Sequence, residues 1–389
     1  MTDSALDPFH PLVRAWFHER FPNGPTRPQS AAWPAIADGH DVLVASPTGS
    51  GKTLTAFMVG INELFVNPPD EIPTGPSILY LSPLRALATD IKFNLQQPLE
   101  ELAALAQAQG LNIPTIRAAV RTGDTSQSER QQHIRKPPHI YVTTPESLYN
   151  LLTSANGRNL MRHVRTVIVD EIHAMAPDKR GSHLSLSLER LERLTVETSG
   201  RRPQRIGLSA TQRPLERVAR FLTGVHDDGR DVRILDCTGY RQTDFALTLP
   251  NSELEAVMST EQFHDVLGQL CDLVAAHTTT LIFVQSRRLA ERFAHQLSEA
   301  LLDAGLMANA DQVVAAHHGS MSHERRHHVE HLLRSGQLRA LVATASLELG
   351  IDVGPVDLVV QVGSPRAIAT FLQRAGRANH QVGGVPKAR

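Results

Sequence analysis

A run of small apolar residues, Val42–Ala45, leads straight into the octapeptide SPTGSGKT (Ser46–Thr53), and an apolar stretch with helical periodicity follows over Leu54–Phe65. No other feature limits the possible folds so strongly. Strand, glycine-rich loop and helix in that order form the phosphate-cradling turn of a parallel α/β sheet. Gly49 and Gly51 allow the tight backbone path that turns consecutive amides towards phosphate oxygens, and a helix starting near Lys52 adds the positive end of its dipole. Lys52 is expected to reach the β- and γ-phosphates of a nucleotide and the Thr53 hydroxyl to ligate Mg²⁺, with Ser46, Pro47, Thr48 and Ser50 completing the loop. Ser46 stands where such loops usually begin with glycine, a departure that a small side chain accommodates. A plain glycine-rich turn is the alternative for the string taken alone; the flanking strand and helix weigh against it.

The rest of the chain repeats the alternation. Runs rich in Val, Ile and Leu, without polar alternation, occur at Ile78–Leu81, Ile140–Val142, Val167–Val169, Arg205–Leu208, Leu281–Val284, Val313–Ala316, Leu341–Ala343 and Leu358–Val360. That is the pattern of strands buried on both faces of a parallel sheet. Helical periodicity fills the gaps at Ala86–Leu105, Leu184–Leu194, Arg287–Leu302 and Glu324–Arg334. These nine strands suit two sheets better than one, and 389 residues suffice for two or three cores. After Gly224 the composition turns to Gly and Asp, with one edge strand expected near Phe245–Leu249. The expected organisation is an α/β domain over residues 1–225, a linker over 226–261 and a second α/β domain over 262–389.

The formal net charge of −1 excludes binding to nucleic acid by bulk basicity, though not a local basic groove. Five of the 39 basic residues are lysine, so Lys52 stands out inside the strongest motif. Cys237 and Cys271 make neither a disulfide framework nor a CxxC zinc pattern. With no run of 18 apolar residues and no signal-like amino terminus, a cytoplasmic chain without a membrane span is expected.

The run Val167–Val169 ends in DEIH (Asp170–His173). A carboxylate after a neighbouring parallel strand lies where Mg²⁺ sits beside a phosphate loop. Asp170 is expected to hold the ion through water and Glu171 to activate the attacking water as general base. Ser209, Ala210 and Thr211 follow another strand, and QRAGRANH (Gln373–His380) comes near the end. In this order the motifs resemble those of superfamily 2 helicases and translocases, from Gln29 to His380. Closer wording is similar to the large helicase-related (Lhr) family: SPLRALATD (Ser82–Asp90), RTGDTSQSER (Arg121–Arg130), TTPESLYNLLTS (Thr143–Ser154), VDEIHAMAPDKRGSHLSLSLERLERL (Val169–Leu194) and SLELGIDVGPVDLVVQ (Ser346–Gln361).

The resemblance implies two tandem RecA-like, P-loop NTPase domains and an ATP- and Mg²⁺-dependent motor that unwinds DNA or DNA–RNA duplexes 3′ to 5′. It implies that Gln29 reads adenine, since an amide can donate and accept at once. It implies Arg377 as the finger that neutralises charge at the γ-phosphate, Arg374 as its helper, and Gln373 as a contact to the γ-phosphate or the attacking water. Asp352 would meet the ribose or the finger, and His173, Ser209 and Thr211 would link hydrolysis to domain closure. The strand would be gripped through its phosphates by Ser82, Pro83 and Arg85; Arg121, Thr122 and Gly123; Thr144, Pro145 and Glu146; Gln285, Ser286 and Arg287; His318 and Gly319; and Thr344. Each of these is equally a plausible turn or cap residue.

Two other readings stay open. One is a DEAD-box-type RNA helicase, against which DEIH and QRAGRANH speak; the other is an ATP-gated clamp that holds nucleic acid without separating strands. His323-Glu324-Arg325-Arg326-His327, with His331 a turn further, spells the HExxH of zinc peptidases. Among 19 histidines it reads as a chance match on a solvated helix, and no structural zinc is expected. The expected partners are single-stranded DNA or RNA and tailed duplexes, met by a monomeric motor. Nine residues follow His380, whereas Lhr-type proteins resemble this chain over their motor alone. The chain is therefore expected to be a truncated form with both halves of the ATP site but only part of the grip.

Overall fold

The computed structural model describes residues 4–47, 49–68, 70, 73–83, 92–210, 213–225, 230–239, 242–254, 258–348, 354–379 and 384–389. The chain divides into two compact units, Met1–Gly239 and Tyr240–Arg389. The first holds seven parallel strands: β1 (Asp41–Ala45), β2 (Ile78–Leu81), β3 (Ala118–Arg121), β4 (Ile140–Thr143), β5 (Thr166–Val169), β6 (Gln204–Ser209) and β7 (Val232–Asp236). Their spatial order is β3-β4-β2-β5-β6-β1-β7. The second unit holds β8 (Asp244–Phe245), β9 (Thr280–Phe283), β10 (Val314–His317), β11 (Ala340–Ala343), β12 (Leu358–Gln361) and β13 (Lys387–Ala388), in the order β10-β11-β9-β12-β13-β8, again parallel.

Successive side chains of a strand point to opposite faces, and adjacent apolar residues along the central strands give each sheet two cores. Val42, Val44, Ile78, Tyr80, Ile140, Val142, Ile168 and Ile206 pack on one side under the helices Arg27–Ala37 and Lys52–Val66. Leu43, Leu79, Leu81, Tyr141, Val167 and Val169 pack on the other, under Pro145–Thr153 and Lys179–Ser199. In the second unit Ile282, Val342, Leu358 and Val360 face the helices Thr260–Ala276 and Arg287–Asp303. Leu281, Phe283, Leu341 and Val359 face the core that holds Val329, Leu333 and Ala375.

The segment expected as a linker, 226–261, is partly structured. Val232–Asp236 forms β7 along the edge of the first sheet beside β1, and Asp244–Phe245 forms β8 of the second. β7 mixes half-buried and exposed residues and has none fully buried, and an edge strand of this kind carries no continuous apolar run to reveal it. β3, with every residue only half-buried, escapes the apolar-run criterion for the same reason. Among the described residues no helix is long and apolar enough to cross a membrane.

Candidate functional site

In a wholly parallel sheet every strand delivers its following loop to the same edge. In the first unit the order β5-β6-β1 therefore sets DEIH, Ser209–Ala210 and the glycine-rich loop side by side, and β3-β4-β2 sets Arg121–Gly123, Thr144–Glu146 and Ser82–Pro83 beside them.

The glycine-rich loop is closely held. Ser46 N donates to Ser209 O at 3.1 Å, joining the ends of β1 and β6. Gly49 and Gly51 take φ values of +76° and +83°, a region that glycine enters without penalty. Gly51 is also the N-cap of Lys52–Val66, and a Cβ there would lie 2.9 Å from Gln29 Nε2. Lys52 is buried and donates through Nζ to the carbonyls of Ser46 and Pro47, at 2.7 Å each. Ser50 Oγ lies 2.8 Å from Ser46 Oγ and donates to Pro47 O at 2.8 Å. Thr53 is half-buried on the first helical turn, while Thr48 lies outside the described residues. Gln29 is buried in the capping box that opens Arg27–Ala37, where its Oε1 accepts from Thr26 N at 2.8 Å. Its oxygen thus serves a helix cap and its amide nitrogen stands against the loop.

After β5, Asp170 N donates to Leu81 O at 2.8 Å. The Asp170 carboxylate accepts from the Tyr80 hydroxyl and, at 2.8 Å, from Glu171 N. Tyr80 stacks on Phe57 with ring centroids 4.7 Å apart. Burial first, and the Glu171 charge second, push the Asp170 carboxyl up to about 6, while the two hydrogen bonds and Lys52 pull it down. Glu171 has left-handed backbone angles, φ 47° and ψ 38°, and caps the short helix Ile172–Met175. His173 is buried, and burial followed by the Lys52 charge drives its imidazole down to about 4. A neutral ring has one donor and one acceptor. Nδ1 accepts from Ala210 N at 3.1 Å, so the proton sits on Nε2, which faces Glu171 Oε2 at 3.3 Å. His173 thereby connects the acidic pair to the turn after β6. Ser209 is buried and its hydroxyl donates to Ala210 O at 3.0 Å; Thr211 lies outside the described residues.

On the other half of the edge, Ser82 N donates to Thr143 O at 3.1 Å and Thr143 Oγ1 to Arg121 O at 2.8 Å. Thr122 N donates to Thr125 Oγ1 at 2.9 Å, and Gly123 O accepts from Arg130 Nη2 at 2.9 Å. Thr144 caps Pro145–Thr153, with Pro145 in its first turn. Arg180, which motif reading singled out for nothing, ties two of these loops together. It donates to Pro83 O at 2.7 Å and grips the Glu146 carboxylate, with Nη2 3.1 Å from Oε2. That hydrogen bond holds the Glu146 carboxyl below its usual range. Glu146 is thus engaged by Arg180, and Arg85 lies outside the described residues.

The second unit has its own edge. Ser286 caps Arg287–Asp303, Gln285 Nε2 donates to Ser364 O at 3.2 Å, and Arg287 Nη1 to Ser320 Oγ at 3.2 Å. His318 Nε2 lies 2.7 Å from Glu291 Oε1, and a Cβ on Gly319 would meet nothing within 4 Å. Thr344 N donates to His317 O at 3.2 Å. Gln373 and Arg374 stand on the helix Ile368–Ala375, and Arg377 follows it; both arginines are buried. Asp352 lies outside the described residues. Tyr80, Arg180 and Glu348, which engages Arg374, contact candidate site residues and carry no motif signature of their own. Tyr80 was signalled only by being the one hydroxyl in an aliphatic strand.

The donors of the first unit suit a phosphate chain with a hard divalent cation: one lysine, the hydroxyls of Ser46, Ser50 and Thr53, loop amides and the half-buried Asp170 carboxylate. Among the described residues no three His, Cys, Asp or Glu side chains gather to hold a metal by themselves.

Comparison with known proteins bears on the same residues. The DEAD/DEAH box helicase family matches residues 26–218, and the helicase conserved C-terminal domain matches residues 264–380. An Lhr helicase/probable uracil glycosylase of Mycolicibacterium smegmatis is 44% identical over 99% of this chain and 27% of its own length. The ATP-dependent helicase Lhr-Core of Methanothermobacter thermautotrophicus is 44% identical over 96% of this chain and 42% of its own. The solved Mycobacterium smegmatis helicase Lhr, bound to ssDNA and AMP-PNP, superposes with a TM-score of 0.85 at 45% identity, over 99% of this chain and 48% of that one. The chain thus spans less than half the length of these relatives. It has the two RecA-like, parallel-sheet α/β domains of that fold and belongs to the Lhr family of DEAD/DEAH box helicases.

Proposed function

We propose that the chain couples ATP hydrolysis to movement along a single strand, and that this movement separates DNA or DNA–RNA duplexes in the 3′-to-5′ direction. The observation that carries the reading is the strand order of the first sheet, which puts the nucleotide loops and the candidate strand-binding loops on adjoining halves of one edge. A change at the phosphates then has a short route to the strand, through His173, Ala210 and the ends of β5 and β6.

In this reading the phosphate chain lies on the loop Ser46–Thr53 with Lys52 at the β- and γ-phosphates, and Gln29 lies near the base. Thr53, and Asp170 through water, would hold Mg²⁺, which when bound offsets phosphate charge and polarises the γ-phosphate. Asp170 contributes most with its carboxyl ionised, and a nearby cation favours that form. Glu171 takes the proton of the attacking water. Neutral His173 keeps Glu171 oriented without adding a positive charge beside it. Arg377, Arg374 and Gln373, with Asp352, supply the second unit's share, and the arginine charge stabilises the transferring phosphoryl group.

The strand is held by main-chain groups and hydroxyls at Ser82–Pro83, Thr122–Gly123, Thr144, Ser286, Gly319 and Thr344, with Arg85, Arg121 and Arg287 for phosphates. Such a grip reads backbone rather than bases. The solved mycobacterial relative holds single-stranded DNA, which favours DNA as the tracked strand.

ATP turnover measured alone and with single-stranded DNA or RNA, then unwinding of duplexes with a 3′ or a 5′ tail, tests the reading. Strand-stimulated turnover and unwinding of the 3′-tailed duplex are expected. Turnover that ignores every strand would sink the motor reading; stimulation with neither duplex opened would favour an ATP-gated clamp.

A further inference from the structure

Both arginines of QRAGRANH end on Glu348, a residue the motif reading left without a role. Arg374 Nε donates to Glu348 Oε1 at 2.8 Å and its Nη2 reaches the same oxygen. Its Nη1 donates to Gln361 Oε1 at 2.6 Å, and the guanidinium lies over the Phe283 ring, 4.8 Å from the centroid. All three nitrogens of Arg374 are thus engaged within the second unit. Arg377 Nη2 donates to the main-chain oxygen of Glu348 at 2.7 Å. Carboxylate and carbonyl of one residue therefore hold the two arginines. The arrangement is buried, with 9% of the Arg374 side chain and 17% of the Glu348 side chain exposed. Breaking such a pair is costly, because removing either partner leaves a desolvated charge behind.

Glu348 also stands at the end of a turn that begins in the candidate strand-binding set. Thr344 caps the 3-10 turn Ala345–Leu347, and Glu348 N closes it on Ala345 O at 3.1 Å. Ser346 Oγ, inside the turn, lies 2.8 Å from Nδ1 of buried His317, whose Nε2 lies 3.2 Å from Glu330 Oε1. The turn is thereby fastened to β10 and to the helix His323–Arg334. Hydrogen bonds at Thr344, Ser346 and Glu348 thus hold the turn to the rest of the second unit.

We propose that Glu348 is the positioning residue of the arginine pair: its carboxylate fixes Arg374, its carbonyl fixes Arg377, and the turn from Thr344 lets a bound strand set their placement. Glu348 touches neither nucleotide nor water in this scheme; it acts through the arginines. The inference rests on the function proposed above.

The test is steady-state ATP turnover of the whole chain, with and without single-stranded DNA, for the wild type, E348A, E348Q, E348D, R374A and E348A/R374A. Binding of a fluorescent ATP analogue and the thermal midpoint are measured beside it. Misplacing a reacting group by about 1 Å costs about 100-fold, so E348A is expected to lower strand-stimulated kcat by about that factor while KM moves by less than about threefold. E348Q keeps an oxygen that accepts from Arg374 and should recover part of the loss. E348A/R374A should be no slower than R374A, because the two act as one unit. If E348A does not fold, E348D, which keeps the charge but withdraws it by one methylene, must hold the midpoint and still lose kcat. Unchanged kcat in the folded variants, or a fall in kcat matched by equal loss of analogue binding, would overturn the proposal. A wild type whose turnover no strand stimulates would instead refute the functional reading beneath it.

Discussion

Glu171 occupies left-handed backbone space, at φ 47° and ψ 38°, which costs a residue with a Cβ roughly 1–2 kcal/mol. The strain persists because its neighbours are fixed: Asp170 by Leu81 and Tyr80, His173 by Ala210. Strain of this kind gathers where a side chain must be aimed. Glu171→Gln preserves the shape and removes the base, so it should keep ATP affinity and lower turnover by about 100-fold or more. Turnover at the wild-type rate would remove Glu171 from the mechanism. His173 offers a separate check. Its pKa is depressed by burial from 6.5 to about 4, so the stability its neutral ring contributes is present above about pH 6.5 and is lost as the pH falls towards 4. Ring-nitrogen NMR shifts of His173 should report the Nε2–H tautomer unchanged from pH 8 to pH 5. A midpoint near 6.5 would contradict the buried, neutral assignment.

Among the elements, the glycine-rich loop and its helix are the most legible, because the chemistry they need is local. Gly49 and Gly51 must take positive φ, and Lys52 must open a helix, within one stretch of eight residues. Gly51→Ala should therefore weaken ATP binding and lower stability by about 1–2 kcal/mol, the cost of left-handed backbone for a Cβ-bearing residue. The new Cβ also meets Gln29 Nε2 at 2.9 Å. Thermal melts and ATP titrations check both, and unaltered ATP affinity would mean that the loop tolerates a side chain there. The helix Lys179–Ser199 was legible as a helix but not as a clamp. Its Arg180 binds Pro83, 97 residues earlier, and Glu146, 34 residues earlier, and no periodicity encodes such a meeting. β3 and β7 were missed because half-exposed edge strands lack the continuous apolar run that marks buried ones.

On the scale of the whole molecule, the functional reading divides its chemistry between two units with separate cores. Arg377 belongs to the second unit and the phosphate loop to the first. Arg377→Ala should therefore lower turnover by roughly 10³-fold, as loss of an arginine finger does. ATP affinity should change little, because that group acts on the transition state. Equal losses in turnover and affinity would make Arg377 a structural residue. The sequence by itself determined the buried strands, the apolar helices between them and the two α/β domains, and it located the glycine-rich loop, DEIH and QRAGRANH along the chain. All of these follow from spacing within a few turns of chain, where apolar periodicity and glycine freedom act directly. The tertiary structure alone decided that Tyr80 holds Asp170 and that His173 bridges Glu171 to Ala210. It alone decided that Arg180 fastens Pro83 to Glu146 and that Glu348 gathers Arg374 and Arg377. The first three meetings depend on which strands become neighbours, the last on where helix Ile368–Ala375 packs against β12. Apolar runs do not specify that order, since any buried parallel strand carries nearly the same pattern wherever it lies in the sheet.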